Sequence, residues 1–138
     1  MLRSFPVHAS VAASDLARAR AWYEEKLGLI ADAEDMGGVW YRFADDTWLS
    51  LFETPYAGTA KNTIAGWSVT GIEAVMADMR ARGVVFDDVD MGEVKTVDGL
   101  LDVGVAKAAW FKDSEGNTFE ISEVAVDPRA ALREGSAG

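Results

Sequence analysis

The sequence predicts an α+β domain made of two βαβββ modules, with strands forming a curved, mostly antiparallel sheet and two helices on its convex side. Three observations predict it. A strand, a helix and three further strands occur in that order twice. The two occurrences keep nearly fixed offsets: 56 from Asp15-Leu16 to Gly71-Ile72, 55 from Gly28 to Gly83, and 70 from Thr47–Glu53 to Asn117–Glu123. A βαβββ unit also covers only one face of its own sheet with its helix, so two units side by side leave a concave face for solvent or a ligand. The 138 residues suffice for one domain. It is assigned to residues 1–126, with module one at about 5–54, module two at about 62–124 and a tail at 127–138.

In module one, Val7–Val11 alternates as a short strand. Ser14 is expected to cap the helix that follows, with Asp15 at the positive end of its dipole. Leu16, Ala19, Tyr23 and Leu27 share one helical face, and Gly28 ends it. Strands follow at Leu29–Asp35, Val39–Phe43 and Thr47–Glu53, with turns at Gly37-Gly38 and Asp45-Asp46. In module two, Thr63–Val69 is a strand and Thr70 through Glu73 reads as a capping box. Ile72, Val75 and Met79 continue the helix to Gly83, and Val84–Val89 is a further strand. Ala108–Lys112 and Asn117–Glu123 form a hairpin around residues 113–117, where Gly116 and Asn117 tolerate positive φ. The difference between the offsets of 70 and 55 places fifteen extra residues at 91–105. That segment carries Lys95, Thr96 and Asp98 between Gly92, Gly99 and Gly104, and is a candidate lid.

Composition narrows the function. With no cysteine, disulfides, thiolate metal sites and cysteine nucleophiles are excluded, and the single histidine excludes a site needing two from one chain. A net charge of −10 argues against nucleic acid and against an anionic membrane surface as partners. No stretch is long and apolar enough for a membrane span or a secretory signal, so a cytoplasmic location is expected.

His8, the run Ser14 through Tyr23, Leu27-Gly28-Leu29 and the closing run Ala109 through Asn117 together resemble the vicinal oxygen chelate superfamily. That superfamily includes glyoxalase I, bleomycin-resistance proteins and extradiol dioxygenases. The resemblance spans residues 5–124 and implies the glyoxalase-like form of the fold. It also implies a homodimer, since members commonly pair modules across chains. Members that bind metal carry ligands at places corresponding to His8, Ser50, Ile64 and Glu120. Two of these four suit a divalent ion, whereas a catalytic site usually takes three protein ligands. The expectation is therefore no catalytic metal and no other cofactor. Any ion present would sit at His8 and Glu120.

If Ser50 and Glu120 face the concavity, alternation brings Trp48, Phe52, Thr118 and Ser122 with them. His8, Ser10, Asn62, Ile64, Gly66 and Ser68 join from the first strand of each module. Val7, Ala9, Val11, Leu49, Leu51, Ala65, Trp67, Val69, Phe119 and Ile121 then face the helices. An apolar wall with a few converging polar groups suits a small molecule. Among the five tryptophans, Trp22 and Trp67 read as core, and Trp40, Trp48 and Trp110 as surfaces for a planar or aromatic ligand. Arg42 and Lys112 hold matching hairpin positions. The expected protein is a small-molecule binder, or a cofactorless enzyme using His8 and Glu120 as an acid–base pair. The alternatives are a divalent-metal-dependent lyase, isomerase or dioxygenase, and a dimeric interaction module without ligand chemistry.

Overall fold

Alternation along each strand sends every second side chain into one shared apolar core, and that core organises the molecule. The computed structural model describes residues 1–125, so the tail assigned to 127–138 lies outside the described residues. Module one comprises β1 (Ala9–Ala13), α1 (Leu16–Leu27), β2 (Ala33–Glu34), β3 (Gly38–Phe43) and β4 (Thr47–Glu53). Module two comprises β5 (Thr63–Ser68), α2 (Ile72–Ala81), β6 (Leu101–Asp102), β7 (Ala106–Lys112) and β8 (Thr118–Val124). The strands form two four-stranded sheets, ordered β1-β4-β3-β2 and β5-β8-β7-β6. In each sheet the first strand pairs parallel with the last, and the other two pairings are antiparallel.

Val11, Leu49, Leu51, Phe119 and Ile121 are buried, as their alternation requires. Val7 is not: it is 88% exposed, because β1 begins two residues later than the apolar alternation suggests. The core crosses the module boundary. Phe111 lies 5.7 Å from Phe119, 6.3 Å from Trp67 and 6.5 Å from Trp22, and Tyr23 lies 5.6 Å from Tyr41. Trp22 and Trp67 pack against this cluster from α1 and β5.

The helix starts differ from expectation in an instructive way. Asp15, not Ser14, caps α1, accepting from the Arg18 amide at 3.0 Å. The Thr70–Glu73 box does not form, and Glu73 instead pairs with Lys107 at 2.6 Å. Each helix receives a carboxylate from the end of its own module's last strand. Glu53 accepts from the Leu16 amide, and Glu123 from the Gly71 and Ile72 amides. These acids are 70 residues apart, so the cap is part of the repeat. Gly28 ends α1 with φ +68, where its amide returns to Glu24.

Residues 84–89 do not form the expected strand. Their one ladder contact is a bridge from Phe86 to Phe111, with Val84 and Phe86 buried as core plugs. The run lies beside β7, where the Asp87 amide also donates to the Trp110 carbonyl at 2.8 Å, but its contact there is a single bridge and not a continuous ladder.

The 113–117 hairpin locks the modules together. The Asp113 carboxylate accepts from the Tyr23 hydroxyl at 2.8 Å and from the Glu115 and Asn117 amides. Asn117 donates from its side chain to the Ala12 carbonyl, so its role is an amide bridge; positive φ in the turn belongs to Gly116. The fully buried Glu115 carboxylate accepts from Ser14, from the Asp15 amide and twice from Arg18. The Arg18 guanidinium, with the other donors, holds its pKa down at about 2.

Because the folded-state value is depressed, Glu115 stabilises the fold fully above the ordinary carboxylate pKa, and that contribution is lost as pH falls from about 4.5 to about 2. Glu115→Gln should cost about 1–3 kcal/mol near neutral pH. In urea titrations its difference from wild type should shrink progressively across that acid window.

Candidate functional site

Side chains in register across neighbouring strands share a face, so the pairing itself builds the site. On the first sheet, Ser10, Ser50 and Trp40 form one row facing away from the core, and Ala12, Phe52 and Gly38 the next. Trp48 stands opposite Arg42 on the other side of the first row. On the second sheet the matching rows are Gly66, Glu120 and Trp110, then Ser68, Ser122 and Ala108, with Thr118 opposite Lys112. Trp40 and Trp110 are thus equivalents, as are Arg42 and Lys112, each pair 70 residues apart.

His8 lies against Trp40, ring centroids 4.8 Å apart and planes at 65°. Trp40 meets Trp48 edge to face at 6.4 Å and 75°. The two indoles make a corner lining a cleft of about 420 Å³ with His8, Glu34 and Asp35. Each indole N–H is tied to a carboxylate, Trp40 to Asp35 at 2.8 Å and Trp48 to Asp46 at 3.0 Å. Asp35 also accepts from the Gly37 and Gly38 amides, and these three bonds, the Trp40 bond foremost, hold its carboxyl below the usual range. In sequence Asp35 is the end of an expected Leu29–Asp35 strand, of which the structure forms only Ala33–Glu34, leaving Asp35 in the turn. The Asp-Met-Gly-Gly turn was its one local signal.

A second hollow of about 740 Å³ joins the sheets, lined by His8 and Trp48 from the first and by Gly66 and Ser68 from the second. A third, of about 820 Å³, lies on the second sheet along Asn62, Thr118, Trp110 and Lys112. Glu120 accepts from the Trp110 indole at 3.1 Å. His8, just ahead of β1, and Glu120, on β8, therefore have different aromatic partners, and no hydrogen bond or ion pair joins them.

Ser50 donates to Ser10 at 3.3 Å, with Phe52 one row on. Ile64 departs from its expected place. The register shifts between Thr63 and Ala65, and both Ile64 and Ala65 pack against the core. Asn62 is exposed and donates to the Thr63 carbonyl. The 91–105 segment is anchored: buried Thr96 and Gly99 bond to the Asp88 carboxylate, Thr96 bonds Val89 through its backbone, and Arg80 bonds the Asp98 carbonyl. That anchoring opposes the lid reading.

A resident metal would need converging donors. The four corresponding positions supply an imidazole, a hydroxyl engaged with Ser10, a core isoleucine and a carboxylate on the other sheet. Among the described residues no group of three or more His, Asp or Glu could hold an ion. The residues of this chain do not fit the group.

The sequence model of the Glyoxalase/Bleomycin resistance protein/Dioxygenase superfamily matches residues 6–121. The chain belongs to that superfamily. Solved structures agree in fold. A glyoxalase/bleomycin resistance protein from Catenulispora acidiphila is 21% identical with TM-score 0.65, over 87% of this chain and 98% of that one. TnmS3, an antibiotic binding protein from Streptomyces sp. CB03234, is 24% identical with TM-score 0.63, over 90% and 98%. The fosfomycin resistance protein FosX from Listeria monocytogenes, solved with Mn(II) and dihydroxypropylphosphonic acid, is 15% identical with TM-score 0.60, over 95% and 97%. At these identities the likeness establishes the fold alone, and the superfamily hosts several chemistries. No curated protein matches the sequence. No helix among the described residues is long and apolar enough to cross a membrane.

Trp40→Phe removes the leading cause of the Asp35 shift while leaving the two amide donors. In a carboxyl NMR titration the Asp35 pKa should rise in that variant, yet stay below the ordinary carboxylate range.

Proposed function

We propose that this protein is a small-molecule binding member of its superfamily, holding a planar organic ligand against Trp40 and Trp48 without a tightly bound metal ion. The observation that carries this reading is the indole corner on the sheet face turned away from the core. Large aromatic rings left half-exposed there gain most when a flat partner displaces water from them. Ser10 and Ser50, next along the same face, offer hydroxyls to orient it. An antibiotic-binding protein among the structural relatives supports a binding role of this kind.

We further propose a homodimer in which the open face of one first sheet meets the second sheet of another copy. Such pairing would bring a carboxylate from one chain towards an imidazole from the other, which a single chain does not do. An acid–base role for His8 and Glu120 depends on that pairing.

Titration of tryptophan fluorescence with planar heteroaromatic compounds, with and without a chelator, tests the reading. Binding should survive chelation, and Trp48→Ala should weaken it about tenfold. Strictly metal-dependent binding, or near-stoichiometric divalent metal retained by the dialysed protein, would contradict it.

A further inference from the structure

The cleft at Trp40 and Trp48 has an electrostatic feature that a merely aromatic pocket lacks. Two carboxylates line it, Glu34 and Asp35, and neither lysine nor arginine does. The Glu34 carboxylate is matched by Arg20 at 2.8 Å. Asp35 has no such partner. Its bonds come from the Trp40 indole and the Gly37 and Gly38 amides, all neutral donors, and it forms no ion pair with any described residue. These bonds hold its charge in place beside the ring of Trp40.

Three rings line the same cleft: His8 against Trp40, and Trp48 at nearly a right angle to Trp40. Aromatic faces meeting at a corner attract cations through their quadrupoles. The same sheet already uses this attraction, because the Arg42 guanidinium lies 5.9 Å from the centre of the Trp48 ring, steadied by Asp46 at 3.0 Å. Arg42 does not line the cleft, so it leaves Asp35 unmatched.

We propose that the cleft selects planar ligands bearing a positive charge, of the class of protonated or quaternary aromatic amines, with the cationic group held between Trp40, Trp48 and Asp35. This inference rests on the binding function proposed above and adds the ligand's charge. A neutral ligand would strip water from the Asp35 carboxylate without replacing it, and an anion would be repelled. The net charge of −10 favours encounter with cations over anions.

The test compares three soluble probes of similar size in one fluorescence titration: benzyltrimethylammonium, benzyl alcohol and benzoate. The quaternary probe should bind about tenfold more tightly than the alcohol, with benzoate weakest. Asp35→Asn removes the charge at constant size, its one acceptor oxygen serving either the glycine amides or the Trp40 indole, and should narrow that ratio to about threefold or less. In the unaltered protein, raising NaCl from about 20 mM to about 300 mM should weaken the quaternary probe more than the alcohol. Equal affinity for cation and alcohol, or a preference for benzoate, would overturn this inference and leave the binding function standing. Failure of all three probes and of the heteroaromatic panel would overturn both.

Discussion

Everything in this molecule depends on one aromatic core filled from a single side of two sheets. Phe111 and Phe119 from the second module meet Trp22 and Tyr23 from α1 of the first, and Tyr23 carries the contact on to Tyr41. Because side chains alternate, filling the core with Leu49, Leu51, Phe119 and Ile121 obliges Trp48, Ser50, Glu120 and Ser122 to face the other way. The face proposed to receive the ligand is thus a geometric consequence of the core. The Asp113–Asn117 hairpin then fixes the modules relative to one another through Tyr23, Arg18 and the Ala12 carbonyl. The buried Glu115 carboxylate, bonded by Ser14, the Asp15 amide, Arg18 and Ser114, makes that lock specific and costly to break.

Features with local signals were readable in the sequence. The thirteen-residue step from Asp15 to Gly28, with apolar side chains on one face, marked α1, and alternation marked β4 to the residue. Offsets of 56 and 70 paired the modules well enough to align Ser10 with Gly66 and Ser50 with Glu120. Features set by distant partners were not readable. Glu53 and Glu123 cap helices that lie 37 and about 50 residues away in sequence, and no local spacing announces them. The 84–89 run looks like a strand because buried apolar residues and buried strands share a composition; only a single bridge to Phe111, in place of a continuous ladder, separates them. Ile64 was displaced by one irregularity in register, which period-two counting does not foresee.

The same limit governs function. Donor types at four positions were legible, and they already argued against a complete metal site. The partners that separate His8 from Glu120, namely Trp40 and Trp110, emerge only once strands are paired. The proposed site presents two indoles at a corner and, among the described residues, no group of three or more His, Asp or Glu that could hold an ion. Its polar groups also hold one another: Asp35 and Asp46 bond the indoles, and Ser50 bonds Ser10.

The most direct measurement of the central claim, that one sheet face is core and the opposite face receives the ligand, is a proton–nitrogen NMR spectrum of the five indole resonances during addition of a planar ligand. The account predicts that the Trp40 and Trp48 resonances move while Trp22, stacked on Phe111 in the core, stays in place. Movement of Trp22 with Trp40 and Trp48 unchanged would contradict it.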